Sequence, residues 1–271
     1  MGQTRSGEST PDIRLYCMGG GTLTFDQSVF THMRGMGTLV EVPTPIVLIL
    51  HPKGMVLFES GLHPAVATDP EGHWGQRAVD WKPRMTPGQS AAAQVASLGV
   101  DPAEISYVIL SCLIPDHAGG MQAFPTATFV VQFQELQDAW WPDRRFMRSY
   151  DFGELLPTRD FAFWELYGED LDLFGDGSVM VLSTPAHTRG EQALVVRLPR
   201  TGTMMFPAGV FPQRMNYDEN IMTGTPRVAP SVVHASMRRL KALAQREGAL
   251  LIFHHDPEEW KTVRLAPQYY D

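Results

Sequence analysis

The chain has 271 residues, of which 44% are hydrophobic and 19% charged, with a formal charge of −8. That length suffices for a substantial core without disulfide or metal staples, and the composition excludes a disordered chain. The acidic balance and the lack of any long basic run exclude a nucleic-acid binder, and no apolar stretch approaches the roughly 20 residues that span a bilayer. Met1 to Asp12 is polar, has no hydrophobic signal core and reads as a flexible arm. Residues 13–271 read as one domain. Two cysteines far apart, Cys17 and Cys112, are those of a cytoplasmic protein with reduced, buried thiols.

In chain order, Ile46 to Leu50 and Met55 to Glu59 are apolar runs joined by His51-Pro52-Lys53-Gly54, which predicts a hairpin. Thr86-Pro87-Gly88-Gln89 carries an N-cap, a proline at the first helical position and a glutamine three after the cap. It predicts the start of a helix running through Ser90 to Leu98 and stopped by Gly99. Ile105 to Ser111, Thr128 to Gln132 and Ser178 to Ser183 read as strands. Gln192 to Leu198 and Thr203 to Pro207 flank Pro199-Arg200-Thr201-Gly202 as a second hairpin. Ser231 to Glu247 is the clearest helix, with Val232, Val233, Met237, Leu240, Leu243 and Ala244 expected on one face, and Ala249 to Phe253 follows as a buried strand. Gly61 to Arg84 and Gln213 to Pro230 read as loops able to shape a cleft. The alternation predicts an α/β or mixed layered fold.

The histidines follow this pattern. His117 lies after the strand ending at Ser111, His187 after that ending at Ser183, and His254 and His255 after that ending at Phe253. Asp116 and Asp256 adjoin two of these positions. Loops at the carboxyl ends of strands commonly build sites in α/β proteins, and His and Asp are ligands that zinc and iron accept. Spacing alone leaves open a metal site, an acid/base site or solvated surface histidines.

Ser111-Cys112-Leu113-Ile114-Pro115-Asp116-His117-Ala118-Gly119-Gly120 resembles the His-x-His-x-Asp-His loop of the metallo-β-lactamase superfamily. Thr184-Pro185-Ala186-His187-Thr188-Arg189-Gly190-Glu191-Gln192 is similar to its Thr-Pro-Gly-His-Thr-x-Gly-His stretch, and Phe253-His254-His255-Asp256 to its closing Gly-His-Asp. Phe58-Glu59-Ser60-Gly61 resembles its early Val-Asp-Thr-Gly. Order and spacing fit from about Arg14 onward, and the N-acyl homoserine lactonase-like members resemble the chain most. The resemblance implies an αβ/βα four-layer sandwich, with two facing sheets inside and helices outside.

It also implies seven ligands for two metals, and here the chain departs. Cys112 and Ile114 stand at the two positions of His-x-His, and Gly209 stands where the bridging Asp belongs. The tyrosine that in lactonases follows that Asp is also missing, near Pro212. Every residue exclusive to the second metal survives: Asp116, His117 and His255. Two His and one carboxylate suffice for one zinc or iron with open positions. The implied function is a hydrolase for a small, fairly apolar ester, lactone or activated ether. Its water is activated at a single-metal centre, with Asp116 as ligand or general base and His187 as proton donor. The alternative is a catalytically degenerate subunit, without metal, that supports a catalytic paralogue in a heteromer; a homo-oligomer is equally compatible with the sequence. No cofactor other than the ion is implied. Cys112 reads as filler, weak ligand or nucleophile, and His254 as a surface residue or replacement ligand. Trp74, Trp81, Trp140 and Trp141 read as pocket lining or packing.

Overall fold

The computed structural model describes residues 12–271, so the expected arm falls outside the described residues except for Asp12. Six strands form the first sheet, in order β1 to β6: Arg14–Asp26, Leu39–His51, Gly54–Phe58, Ile105–Ile109, Thr128–Gln132 and Ala162–Leu166. β1, β2 and β3 run antiparallel to their neighbours, and β3 to β6 run parallel. The second sheet takes β7 (Leu171–Asp172), β8 (Val179–Ser183), β9 (Gln192–Leu198), β10 (Gly202–Phe206) and β11 (Leu250–Leu251). Its order is β11-β10-β9-β8-β7, antiparallel except for the parallel β10/β11 pair.

The strands read as continuous apolar runs because both faces are covered. From β2, Val47 and Ile49 point between the sheets and meet Val181, Leu194 and Phe206 from the second sheet. Leu48, on the opposite face, packs in an outer layer with Ala91 and Val95 of the helix Ala91–Ser97. Beyond the second sheet, Val195 and Met205 meet Val233, Met237 and Leu240 of the helix Pro230–Glu247. The layers are helix, sheet, sheet, helix, as the resemblance implies.

Gln192 ties the sheets together. Its side-chain amide donates to the Leu110 and Val130 carbonyls just past β4 and within β5, each at 2.8 Å.

Several elements differ from expectation. The Thr86 capping box closes only a 3-10 turn over Pro87–Gln89, and Ser90 caps the α-helix that follows. Val232 is exposed, because Val233 takes the buried stripe with Met237 and Leu240. The strand expected over Ala249 to Phe253 pairs only at Leu250–Leu251. The expected loop Gly61 to Arg84 contains the helices Pro70–Trp74 and Gln76–Trp81, and the expected loop Gln213 to Pro230 contains Arg214–Glu219. No helix among the described residues is long and apolar enough to cross a membrane.

Candidate metal centre

The topology brings the carboxyl ends of β3 and β4 to the same edge of one sheet, and those of β8, β10 and β11 to one edge of the other. The loops after these five strands meet there. After β4 the chain turns into a short helix, Pro115–Ala118, carrying Asp116 and His117. This turn packs against Glu59-Ser60-Gly61: Ser60 N–H donates to the His117 carbonyl at 2.8 Å, and Gly120 N–H to that of Gly61 at 3.2 Å. A side chain at Gly120 would place its first carbon 2.2 Å from the Ser60 carbonyl oxygen, so the contact needs glycine there.

Asp116, His117 and His255 each offer a ligand atom, all within 4.8 Å of one another, and all three side chains are buried. His255 Nδ1 donates to the Pro43 carbonyl at 3.0 Å, which leaves Nε2 as its free lone pair, 3.8 Å from Asp116 Oδ2. His117 Nδ1 lies 3.2 Å from Glu59 Oε1 and from Ser111 Oγ, and its Nε2 lies 3.5 Å from Asp116 Oδ2. Both rings therefore present Nε2 to one point beside one carboxylate oxygen. A tetrahedral zinc with bonds near 2.1 Å needs ligand atoms about 3.4 Å apart, so these residues fit an ion after small movements. Oxygen partners on the far nitrogens are the arrangement that fixes metal-binding imidazoles.

Glu59 does not line the cavity; it is a fully buried prop with a left-handed backbone (φ 62°). Burial would push its carboxyl up, but His117 and His254 outweigh burial and hold it at about 2. His254 is buried as well, with Nε2 3.5 Å from Glu59. It is thus neither the surface residue nor a member of the ligand group, but faces the carboxylate that orients His117.

The opposite wall holds the altered positions. Cys112, Ile114, His187, Gly209 and Glu191 all line the same cavity as the three ligands. Cys112 is buried and its thiol is pushed well above its ordinary value by burial and then by Glu191, so it is neutral filler rather than a nucleophile. His187 Nδ1 meets Thr225 Oγ1 at 3.1 Å. Burial and then Arg227 push its imidazole well down, so His187 carries no proton to donate at neutral pH. This corrects the proton-donor reading of His187.

Glu191, not singled out in the sequence, fills the space the missing Asp leaves. Gly209 N–H donates to its Oε1 at 2.8 Å and Thr188 N–H to its Oε2 at 3.3 Å. A first side-chain carbon at Gly209 would lie 2.6 Å from Glu191 Oε2 and 2.8 Å from His187 Cβ. Burial pushes Glu191 up to about 8 against the pull of the Gly209 N–H. The signal was available: loss of a buried Asp leaves a hole, and a glutamate four residues after His187 can reach it.

Of the tryptophans, only Trp81 lines this cavity, with Phe25, Val29 and Phe30; its volume is about 420 Å3. Trp74 is buried in packing, Trp140 is partly buried packing and Trp141 is exposed. A second group, His63, His73 and Glu154, also gathers ligand atoms. There the two imidazoles stack nearly parallel at 4.1 Å, and His63 Nδ1 accepts the Ala65 N–H. Parallel rings cannot aim their lone pairs at one ion, so this group is a hydrogen-bonded prop.

Residues 39–201 match the family model described as the metallo-beta-lactamase superfamily, and the chain belongs to that superfamily. The N-acyl homoserine lactonase AttM of Azorhizobium caulinodans is 35% identical over 96% of this chain and 99% of its own length. An N-acyl homoserine lactonase of Bacillus thuringiensis is 26% identical over 94% and 98%. A solved N-acyl homoserine lactone hydrolase, with the product N-hexanoyl-L-homoserine bound at its catalytic metal centre, superposes with a TM-score of 0.83. It is 25% identical, over 95% of this chain and 98% of its own. Within the superfamily the chain lies on the lactonase-like branch.

Proposed function

We propose that this protein hydrolyses a small, fairly apolar lactone or related ester at a single-metal centre held by Asp116, His117 and His255, within one domain over residues 13–271. The observation that carries this is the pair of Nε2 atoms turned to one Asp116 oxygen, each fixed from behind by an oxygen partner. The names of the relatives favour the lactone. A zinc or iron bound there would supply Lewis-acid polarisation of the acyl carbonyl and acidification of water. The rest is work for the chain's own residues. Asp116 uses one oxygen between the imidazoles and accepts a proton from the attacking water with the other. Glu191, protonated at neutral pH, gives its proton to the leaving alkoxide. His187 stays neutral and anchored to Thr225. Phe25, Phe30 and Trp81 take the apolar part of the substrate and exclude water.

The test is elemental analysis of protein prepared with metal supplied and no chelator, paired with a lactone ring-opening assay. About one zinc or iron per chain is expected, and none in Asp116→Ala or His255→Ala, with ring opening lost in both. A metal-free, inactive native protein overturns the proposal. The non-catalytic subunit is the second reading, favoured by the half-site that Cys112, Ile114 and Gly209 close; it expects that metal-free result, with a complete paralogue co-purifying.

A further inference from the structure

Metal ligands and acid leave one charged group of the cavity without a task. Arg227 lines the metal cavity and, with Phe146, also lines the neighbouring cavity formed with Asp138, Tyr150 and Arg189. Its backbone N–H donates to the Ala186 carbonyl at 3.3 Å, beside His187. The guanidinium lies over two rings, 4.8 Å from the centroid of Phe146 and 5.3 Å from that of Tyr150. Nη1 is buried and meets no acceptor among the described residues. The other cations of the neighbouring cavity are each paired, Arg189 with Asp138 and Arg145 with Asp143.

Two aromatic faces fix the plane of a guanidinium but leave its N–H groups unmet. A buried donor without a partner is a costly exception, and more so when it carries charge. A lactone or ester carbonyl would accept one hydrogen bond and leave the charge uncompensated. A carboxylate meets both needs, taking two parallel N–H bonds from a planar fork. The wall around Arg227 suits a polar substituent, since Ser149, Thr223 and Thr225 line it too.

We propose that Arg227 is a specificity-determining residue that receives a carboxylate carried by the substrate away from the scissile bond, so that the preferred substrates are acidic lactones or esters. This rests on the hydrolase reading above. Both readings are tested on zinc-loaded protein with monomethyl adipate and dimethyl adipate, which share an ester and differ in one charge. The native protein is expected to favour the acidic ester in kcat/KM by about tenfold or more, the size of one charge-assisted hydrogen bond. Arg227→Gln collapses that ratio towards one, Arg227→Lys leaves an intermediate ratio, and Arg227→Glu inverts it. Calorimetry adds a readout without turnover: adipate binding weakens about ten- to hundredfold in Arg227→Gln, whose far-UV spectrum and bound zinc report its folding. No preference for the acidic ester in the native protein, or a preference that survives Arg227→Gln, overturns the inference while leaving the hydrolase intact. Adipate bound through Arg227 with neither ester cleaved supports the anion site and counts against the hydrolase.

Discussion

His117 sits among Asp116, Glu59 and Glu191; burial alone would lower its pKa, but these carboxylates raise it to about 10. An ion needs the neutral ring, so metal uptake must expel a proton. The proton competes with the metal, and raising the pH removes the competitor. Zinc affinity is therefore expected to climb up to about tenfold per pH unit between about pH 7 and 9, read by chelator competition at fixed pH; a flat profile would contradict it. Glu191 makes the opposite prediction for turnover. A donor poised near 8 loses its proton above that value, so kcat falls on the alkaline side. Glu191→Gln is expected to abolish that limb and cut kcat by about a hundredfold or more, the usual size of a lost general acid; a limb that survives the substitution assigns it elsewhere. Asp116, His117 and His255 were legible because their motif words survive, whereas Glu191 was not. Its place depends on a backbone N–H at Gly209 from a different strand end, which no local pattern announces.

At the scale of elements, Glu154 joins two short helices that could not stand alone. From Phe152–Leu155 its Oε1 accepts from His73 Nε2 at 2.9 Å and Trp74 Nε1 at 2.8 Å, both on Pro70–Trp74. Glu154→Ala strands both donors and is expected to cost about 2 kcal/mol in urea unfolding, with zinc content unchanged; a loss below about 0.5 kcal/mol would deny it this bracing role. The same helices show where sequence reading stops. β2, β5 and β9 are legible since unbroken apolar runs mark strands buried on both faces. β1 carries three consecutive glycines and a register shift between Gly19 and Thr22, which erase its alternation. β6 is a largely exposed edge strand. Pro70–Trp74 and Gln76–Trp81 are five and six residues long, too short for a 3.6-residue period to register.

At the scale of the molecule, the candidate ligands come from both sheets: Asp116 and His117 follow β4, and His255 follows β11. An ion there would clamp the two layers. At a hundred times its Kd it adds about 2.7 kcal/mol, or roughly 5 °C in Tm for a chain of this size. Chelation is expected to lower Tm by that amount, and His255→Ala to make Tm indifferent to chelator; an unchanged Tm on chelation would deny the clamp. The layered architecture was readable from motif order, because each motif marks a strand end and their sequence fixes which ends must meet. Which positions had been rebuilt was not. Restoring the family residue at one of them, Gly209→Asp, would drive the new side chain into Glu191 and His187. Reversion is therefore gated. An ancestor could have lost the bridging acid first and gained the glutamate later, but a descendant holding both changes cannot retrace one step alone, and the replacement behaves as a ratchet.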